Sequence, residues 1–211
     1  MPVFGTQMFG SGGSPDGTLE FTGKAGSSSN ASSYTISVAC GDGGDMVVAT
    51  YGGSGGDPSL STFTLDGQTI TAKASEKDDS EVALYIGTCS GVSSGDNDCV
   101  VGWDRSMYRT MVFVWRVANV DISTMEQAVS ADAYNDTMNA YQDGSVVIAA
   151  TGSDSGTTIT GASGLTFNGN QDNESNMGGA SALAADASTS FSFAGADGNR
   201  PLIVGLELSK G

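Results

Sequence analysis

The chain has no histidine among its 211 residues. Histidine titrates near neutral pH, so it is the commonest general base and the commonest transition-metal ligand. Its absence excludes catalytic mechanisms of the Ser-His-Asp and Cys-His types. A zinc site would need cysteine and carboxylate ligands instead, and the three cysteines are not suitably spaced for one. We therefore expect a protein that is not an enzyme and that holds no metal and no cofactor.

Positive charge is also scarce, because 8 Lys and Arg stand against 24 Asp and Glu for a net charge of −16. Binding to nucleic acid and to anionic membranes depends on Lys and Arg, so we expect neither as a partner. The acidity is typical of an exposed, abundant protein that must stay soluble. Carboxylate pairs like those that hydrolyse glycosides occur by chance in such a chain, so they do not by themselves indicate an enzyme.

Carboxylates gather in three predicted loops, where they could bind Ca²⁺ or face a basic partner. Ca²⁺ takes about six to eight oxygen ligands, which aspartates and loop carbonyls could supply. No stretch has the spacing of an EF-hand or of a nonapeptide calcium repeat, so we favour solvated loops. The three groups are Asp42 with Asp45, Asp78 with Asp79 and Glu81, and Asp96 with Asp98.

Cysteine is rare and its count is odd: Cys40, Cys89 and Cys99. A disulfide-stapled secreted domain usually has an even number. Cys89 and Cys99 flank residues 90–98, so a disulfide across a hairpin and buried free thiols are both open, and we favour the thiols. The first five residues lack the basic and apolar regions of a signal peptide. No run approaches the ~20 apolar residues of a membrane span. We expect a protein made in the cytoplasm and not exported by the secretory route.

Glycine and β-forming residues are abundant, with 31 Gly against only 4 Pro. Asp66-Gly67, between two strand-like runs, predicts a tight hairpin, because a type I′ turn needs positive φ at both positions. The most apolar runs, 110–117 and 202–208, are expected inside a sheet. Residues 121–142 differ in character, and we predict one helical turn near 122–127 and then an irregular excursion.

Strand-like segments recur at roughly 8–12-residue spacing, which is the pattern of a β-sandwich. We predict an all-β fold in which residues 18–211 form a single, jelly-roll-like β-sandwich domain of about a dozen short antiparallel strands. Residues 1–17 are predicted to be a flexible N-terminal arm. The sequence shows no internal repeat with a fixed period.

The order of the strand motifs resembles a group of Gly/Thr-rich β-sandwich virion proteins from tailed bacteriophages, especially marine ones. The resemblance covers about residues 30–210. It implies a virion component, either a capsid decoration protein or a tail or fibre protein, and it supplies no catalytic residues. The motifs are Tyr-Thr-Ile-Ser-Val (34–38), Met-Val-Val-Ala-Thr (46–50), Phe-Thr-Leu-Asp-Gly-Gln-Thr (63–69), Val-Ala-Leu-Tyr-Ile (82–86), Cys-Val-Val-Gly-Trp (99–103), Met-Val-Phe-Val-Trp (111–115), Gly-Ser-Val-Val-Ile-Ala-Ala (144–150) and Arg-Pro-Leu-Ile-Val-Gly-Leu-Glu-Leu (200–208).

Two groups of residues are candidate partner contacts. The arm could anchor on a neighbouring subunit through its large apolar residues, because such arms become ordered on assembly. Near residues 103–109, an exposed tryptophan and two arginines could contact acidic groups, although the arginines could instead pair with local carboxylates. Trp115 alternates with Phe113, so it is expected in the core. The candidates are Phe4, Met8 and Phe9 in the arm, and Trp103, Arg105 and Arg109 in the body.

These expectations favour a capsid decoration (cement) protein that binds the outer capsid surface and bridges adjacent subunits. Its partners would be the major capsid protein or neighbouring virion subunits, and a homo-oligomer, guessed as a trimer, is expected. The protein would reside in the virion after assembly in the host cytoplasm. The alternative is a tail or fibre adhesin that recognises host glycans through exposed aromatic residues and polar loops.

Overall fold

Most of the chain is described by the computed structural model: residues 15–53, 56–78, 81–131, 133, 135–153, 158–172, 175–194 and 201–211. Of the predicted arm 1–17, only the last three residues fall in this range. They have no regular secondary structure and lead into the first strand.

Residues 18–118, which we term the first unit, form nine strands. They are β1 (Thr18–Ser27), β2 (Ala31–Ala39), β3 (Gly44–Gly53), β4 (Leu60–Leu65), β5 (Gln68–Thr69), β6 (Thr71–Asp78), β7 (Val82–Val92), β8 (Asp96–Met107) and β9 (Arg109–Ala118). Only Ile70 separates β5 from β6. β5 pairs with β4 in one sheet and β6 with β7 in another, so they form one bent strand that changes sheet.

Residues 127–208, the second unit, form eight strands and one short 3₁₀ helix (Ala184–Asp186). The strands are β10 (Gln127–Ala131), β11 (Asn135–Thr137), β12 (Val146–Ser153), β13 (Gly161–Ser163), β14 (Thr166–Asp172), β15 (Asn176–Leu183), β16 (Ser190–Ala194) and β17 (Leu202–Leu208). Two predictions for residues 121–142 are wrong. The described residues of this segment contain no helical turn, and they form strands β10 and β11 where an irregular excursion was expected.

The two units share one topology. The first has an inner sheet β1-β9-β3-β7-β6 and an outer sheet β2-β8-β4-β5, and the second has an inner sheet β10-β17-β12-β15-β14 and an outer sheet β11-β16-β13. With β5 and β6 counted as one strand, the inner sheet of each unit has the order first-eighth-third-sixth-fifth, and the outer sheet has the order second-seventh-fourth. In the first unit the fifth strand also extends the outer sheet. The common strand order is that of a jelly roll. The predicted all-β sandwich is confirmed, and the jelly roll occurs twice.

The four sheets stack as layers, with the two inner sheets packed face to face in the middle. One apolar core lies between the two inner sheets. A second lies between the inner and outer sheets of the first unit, and a third between those of the second unit. Strands β3, β12 and β17 are therefore buried on both faces, which is why they read as continuous apolar runs. β2 alternates instead, since only its Tyr34, Ile36 and Val38 face is buried.

The equivalence of the units extends to single residues. Thr50 pairs with Val112 and donates its Oγ1 hydrogen to Met111 O (2.9 Å). Thr151 pairs with Ile203 and donates to Leu202 O (2.7 Å). The units pack against each other unequally, because β17 contacts β6 and β7 closely, whereas the equivalent contacts of β9 with β14 and β15 are weaker. The two units therefore share one fold without packing as a symmetric dimer.

Large residues of the first unit fit against glycines of the second at this internal interface. Tyr51 and Gly152 hold equivalent positions, and a Cβ added at Gly152 would lie 2.5 Å from Tyr51 Cε2. A Cβ added at Gly179 would lie 2.6 Å from Phe113 Cδ1 and 2.7 Å from Trp115 Cζ2. The Tyr51 ring therefore occupies space that is open only because Gly152 has no side chain.

Local connections bear out one hairpin prediction and overturn another. Asp66 and Gly67 have φ values of 52° and 73°, which confirms the predicted type I′ turn. The hairpin considered around residues 90–98 is not formed, because β7 lies in the inner sheet and β8 in the outer sheet. The chain between β7 and β8 crosses from one layer to the next.

Candidate partner-binding surface

The connection between β8 and β9 forms a surface that we term the Tyr108 tip, comprising the exposed Arg105 and Tyr108 and the half-buried Arg109. β8 ends in the outer sheet and β9 begins in the inner sheet, so Tyr108 lies where the chain passes between layers. Its side chain is 51% exposed, although its backbone N–H is held by Gly53 O (2.8 Å). Tyr and Arg are enriched at protein interfaces, so the tip has the composition of a contact site.

A small ionic network borders the tip. Arg105 Nε lies 3.2 Å from Asp104 Oδ1, which also accepts a hydrogen bond from Ser59 N (3.0 Å). These contacts, first the Ser59 bond and then Arg105, lower the pKa of Asp104. Lys77 Nζ donates to Ser59 Oγ (2.6 Å) and lies 3.5 Å from Asp57 Oδ1. Three of the chain's eight cations, Lys77, Arg105 and Arg109, thus lie at this end.

Arg116, the third arginine of this part of the sequence, lies at the other end of β9. It donates from Nε to Gly43 O (2.9 Å) and lies 3.6 Å from Glu20 Oε2 and 3.9 Å from Asp42 Oδ2. Local pairing with carboxylates therefore describes Arg116, and also Arg105 through Asp104, as the local alternative predicted.

The structure corrects one expectation about the tip, because Trp103 is not an exposed contact. Its side chain is 3% exposed and its Nε1–H donates to Thr110 Oγ1 (2.9 Å). The indole also packs against Tyr85, with ring centroids 6.1 Å apart. Trp103 is therefore part of the buried structure on which the Tyr108 tip rests. Trp115 lies in the core, as predicted.

The predicted anchors Phe4, Met8 and Phe9 lie outside the described residues. The described chain begins beside the second unit, where Gly17 N donates to Gly144 O (2.9 Å) and Lys210 Nζ lies 2.8 Å from Asp16 Oδ1. β1 then starts opposite Ala118, which is the last residue of β9. The Tyr108 tip lies at the other end of β9, next to its first residue. At about 3.4 Å per residue, the 10 residues of β9 separate the two places by about 30 Å.

All three cysteines are free and buried. Cys89 lies on the inner sheet and Cys99 on the outer, so they do not face each other across a hairpin as the disulfide alternative required. Burial raises the pKa of the Cys89 thiol to about 12, and Cys40 nearby adds to the shift. Burial likewise raises the pKa values of Cys40 and Cys99. Since the thiolate is the nucleophile, all three should react poorly at neutral pH.

This predicts that a thiol reagent such as Ellman's reagent will label the native protein very slowly at pH 8 and will label all three cysteines after denaturation. The physical reason is that reaction requires local opening of the core between the inner and outer sheets of the first unit. Reaction of any cysteine in the native protein at the rate of a free thiol would contradict the prediction. Mass spectrometry of the labelled peptides identifies the site.

Two aspartates in turns accept hydrogen bonds from nearby residues of the chain. Asp66 Oδ2 accepts a hydrogen bond from Ser93 N (2.8 Å), and Asp121 accepts from the hydroxyls of Ser123 and Thr124 (2.6 Å each). These bonds lower the pKa of both aspartates. Within the described ranges, no three thiols or carboxylates converge so as to hold a metal ion.

Tyr108 was not among the partner contacts predicted for a decoration protein, although it is the most exposed of the large hydrophobic residues in the described chain. Its position between two predicted strands and between two arginines could have indicated an exposed contact residue. The described residues include no helix long and apolar enough to cross a membrane. Comparison with protein-family models, with curated proteins and with solved structures finds no match to this chain.

Proposed function

We propose that this chain is a bacteriophage virion structural protein, a capsid decoration protein that binds the outer capsid surface and joins neighbouring subunits. The observation that carries the proposal is that the Tyr108 tip and the start of β1, to which the predicted arm is attached, lie at opposite ends of β9, about 30 Å apart. A body with separated contacts is suited to bridging two neighbours.

The fold supports this proposal without deciding it. Jelly rolls build viral capsid proteins and lectins, yet one fold hosts many functions. The internal interface adds rigidity, because inner strands of both units are buried on both faces. A rigid body transmits load between its contacts, and the net charge of −16 keeps its free surface soluble.

Replacing Tyr108 and Arg105 with alanine should weaken binding to the particle by about tenfold or more, since a few aromatic and arginine residues dominate most interfaces. Binding is measured by co-sedimentation of the labelled protein with capsids of the phage from which it is purified. Met125→Ala is the matched control, because Met125 is 44% exposed but lies between the units rather than at the tip. Equal loss in both variants would contradict a specific role for the tip.

Cryo-electron microscopy of the same particle tests the location. Density for paired jelly rolls on the capsid lattice, with the tip against one capsid subunit and the β1 end against another, supports decoration. Density confined to the tail or a fibre overturns it in favour of the adhesin. Analytical ultracentrifugation of the free protein tests the proposed trimer.

A further inference from the structure

We propose that a cleft on the inner sheet of the first unit binds an uncharged saccharide. This goes beyond the decoration role, because it holds wherever on the particle the protein sits. The cleft has a volume of about 390 Å³, within the usual size range of small-molecule sites. Its polar lining comes from β5, β6, β7 and the segment between the units: Gln68, Thr69, Thr71, Lys73, Ser90 and Ser123.

The shared topology of the units places a second cleft, of about 260 Å³, at the equivalent position of the second unit. Thr71 pairs with Thr88 in the first cleft, as Thr166 pairs with Ser181 in the second. Both fifth strands carry an irregularity just beyond these pairs, at Lys73 and at Asn168 respectively. The shape of the clefts therefore comes from the shared fold, and only their chemistry differs.

Two polar side chains of the second cleft, Asn168 and Ser181, are already used by the protein, whereas Thr166 and Asp186 are exposed. Asn168 Oδ1 accepts from Trp115 Nε1 (2.9 Å) and from Ser181 Oγ (2.8 Å). Its other walls include Leu19, Phe21 and Leu183. Leu183 holds the position of Ser90 in the first cleft, as the pairing of β14 with β15 and of β6 with β7 shows.

The first cleft keeps its polar groups available for a ligand. In the part of the chain that the structure describes, the side chains of Gln68, Thr69, Thr71 and Ser90 make no hydrogen bond to the protein and are exposed. Lys73 Nζ uses one donor on Ser123 O (2.8 Å) and retains two. Thr88 Oγ1 donates to Ile122 O (3.0 Å), which holds the inter-unit segment at the rim. The β-bulge turns Lys73 towards this rim.

These groups match the hydroxyls of a sugar. Hydroxyl and amide side chains both donate and accept, as sugar hydroxyls do. None of the cleft's lining residues is acidic, although the chain has 24 carboxylates. A single ammonium group in a chain of net charge −16 is poorly suited to an anionic ligand such as a phosphate. An uncharged polyol is therefore the class that the lining fits.

Titration of the ¹⁵N-labelled full-length protein with glucose, galactose and N-acetylglucosamine tests the proposal. We expect at least one sugar to shift the amide signals of residues 68–73, 88–90 and 122–123, with a Kd of about millimolar. Shifts outside these residues only, or no shift with any of the three sugars, would overturn the site. Tighter binding of glucuronate than of glucose would overturn the uncharged class.

Paired variants make the test specific to the cleft. Thr71→Val removes one hydroxyl from an exposed position and should weaken binding by about threefold to tenfold, whereas Thr166→Val, its equivalent in the second cleft, should leave binding unchanged. Ser90→Leu reproduces the second cleft's residue and should abolish binding. Equal effects of Thr71→Val and Thr166→Val would overturn the assignment to the first cleft. Since capsid binding is measured separately, failure of this site leaves the decoration proposal standing.

Discussion

Replacing Gly152 with alanine should lower the free energy of unfolding by about 2–3 kcal/mol, because the new methyl group would overlap the Tyr51 ring in the core between the inner sheets. Neither side can yield easily, since Tyr51 is fully buried and lies on a strand paired on both sides. Urea denaturation followed by tryptophan fluorescence measures the change, because Trp115 lies in the same core.

Gly161→Ala is the matched control for this substitution. Gly161 is also a strand glycine, but a Cβ there would meet no atom within 4 Å. Its replacement should be neutral or slightly stabilising. Combining Gly152→Ala with Tyr51→Leu removes the overlap, so the double variant should lose less than the sum of the two single losses. Additive losses would show that the tyrosine and the glycine do not share one space.

Replacing Glu207 with glutamine should cost about 2–4 kcal/mol of unfolding free energy, even though the shapes of the side chains match. Glu207 is 0% exposed, and its carboxylate accepts from Gln142 N (2.7 Å), Ser145 Oγ (2.6 Å) and Gln127 Nε2 (2.5 Å). An amide has only one acceptor oxygen, so at least one of these donors would face an NH₂ group. Denaturant titration at pH 7 measures the loss.

The control for Glu207→Gln is Glu76→Gln, because Glu76 is half-buried and bonds only to the backbone N of the next residue, Lys77, at 3.3 Å. That change should stay within about 0.5 kcal/mol. If Glu207→Gln changed stability no more than the control does, the three hydrogen bonds would not be what fixes the turn before β12.

The sequence predicted those features of the fold that depend on neighbouring residues. The Asp66-Gly67 turn follows from the backbone freedom of those two residues, and the burial of Trp115 follows from its alternation with Phe113. The burial of Trp103 was not predictable, because its position beside Asp104 and Arg105 reads as a strand end. Its cover comes from Tyr85, which belongs to a different layer.

The doubling of the jelly roll escaped the sequence analysis for a specific reason. Thr50 and Thr151 are 101 positions apart, whereas Trp115 and its equivalent Leu206 are only 91 apart, so no single period relates the units. Equivalent residues have also diverged in chemistry, since Arg116 corresponds to Glu207 and Tyr51 to Gly152. The candidate contacts were predictable only in part. The sequence shows that Arg105 and Arg109 are close along the chain, but the exposure of each side chain depends on strands that are distant in the sequence.

The placement of β9 and β17 has a consequence for how the chain is made. In each unit the last strand to leave the ribosome lies between the first and the third, so neither inner sheet can close until it has been synthesised. The first unit is complete at residue 118 and then waits with its inner face uncovered for roughly the 90 residues that remain before β17 is finished, several seconds at typical elongation rates of about 5–20 residues per second. During that interval the uncovered face is open to the same face of another nascent chain. Pairing of two first units would bring a second Tyr51 to the place that Gly152 fills, so these unlike residues oppose exchange of units between chains synthesised close together.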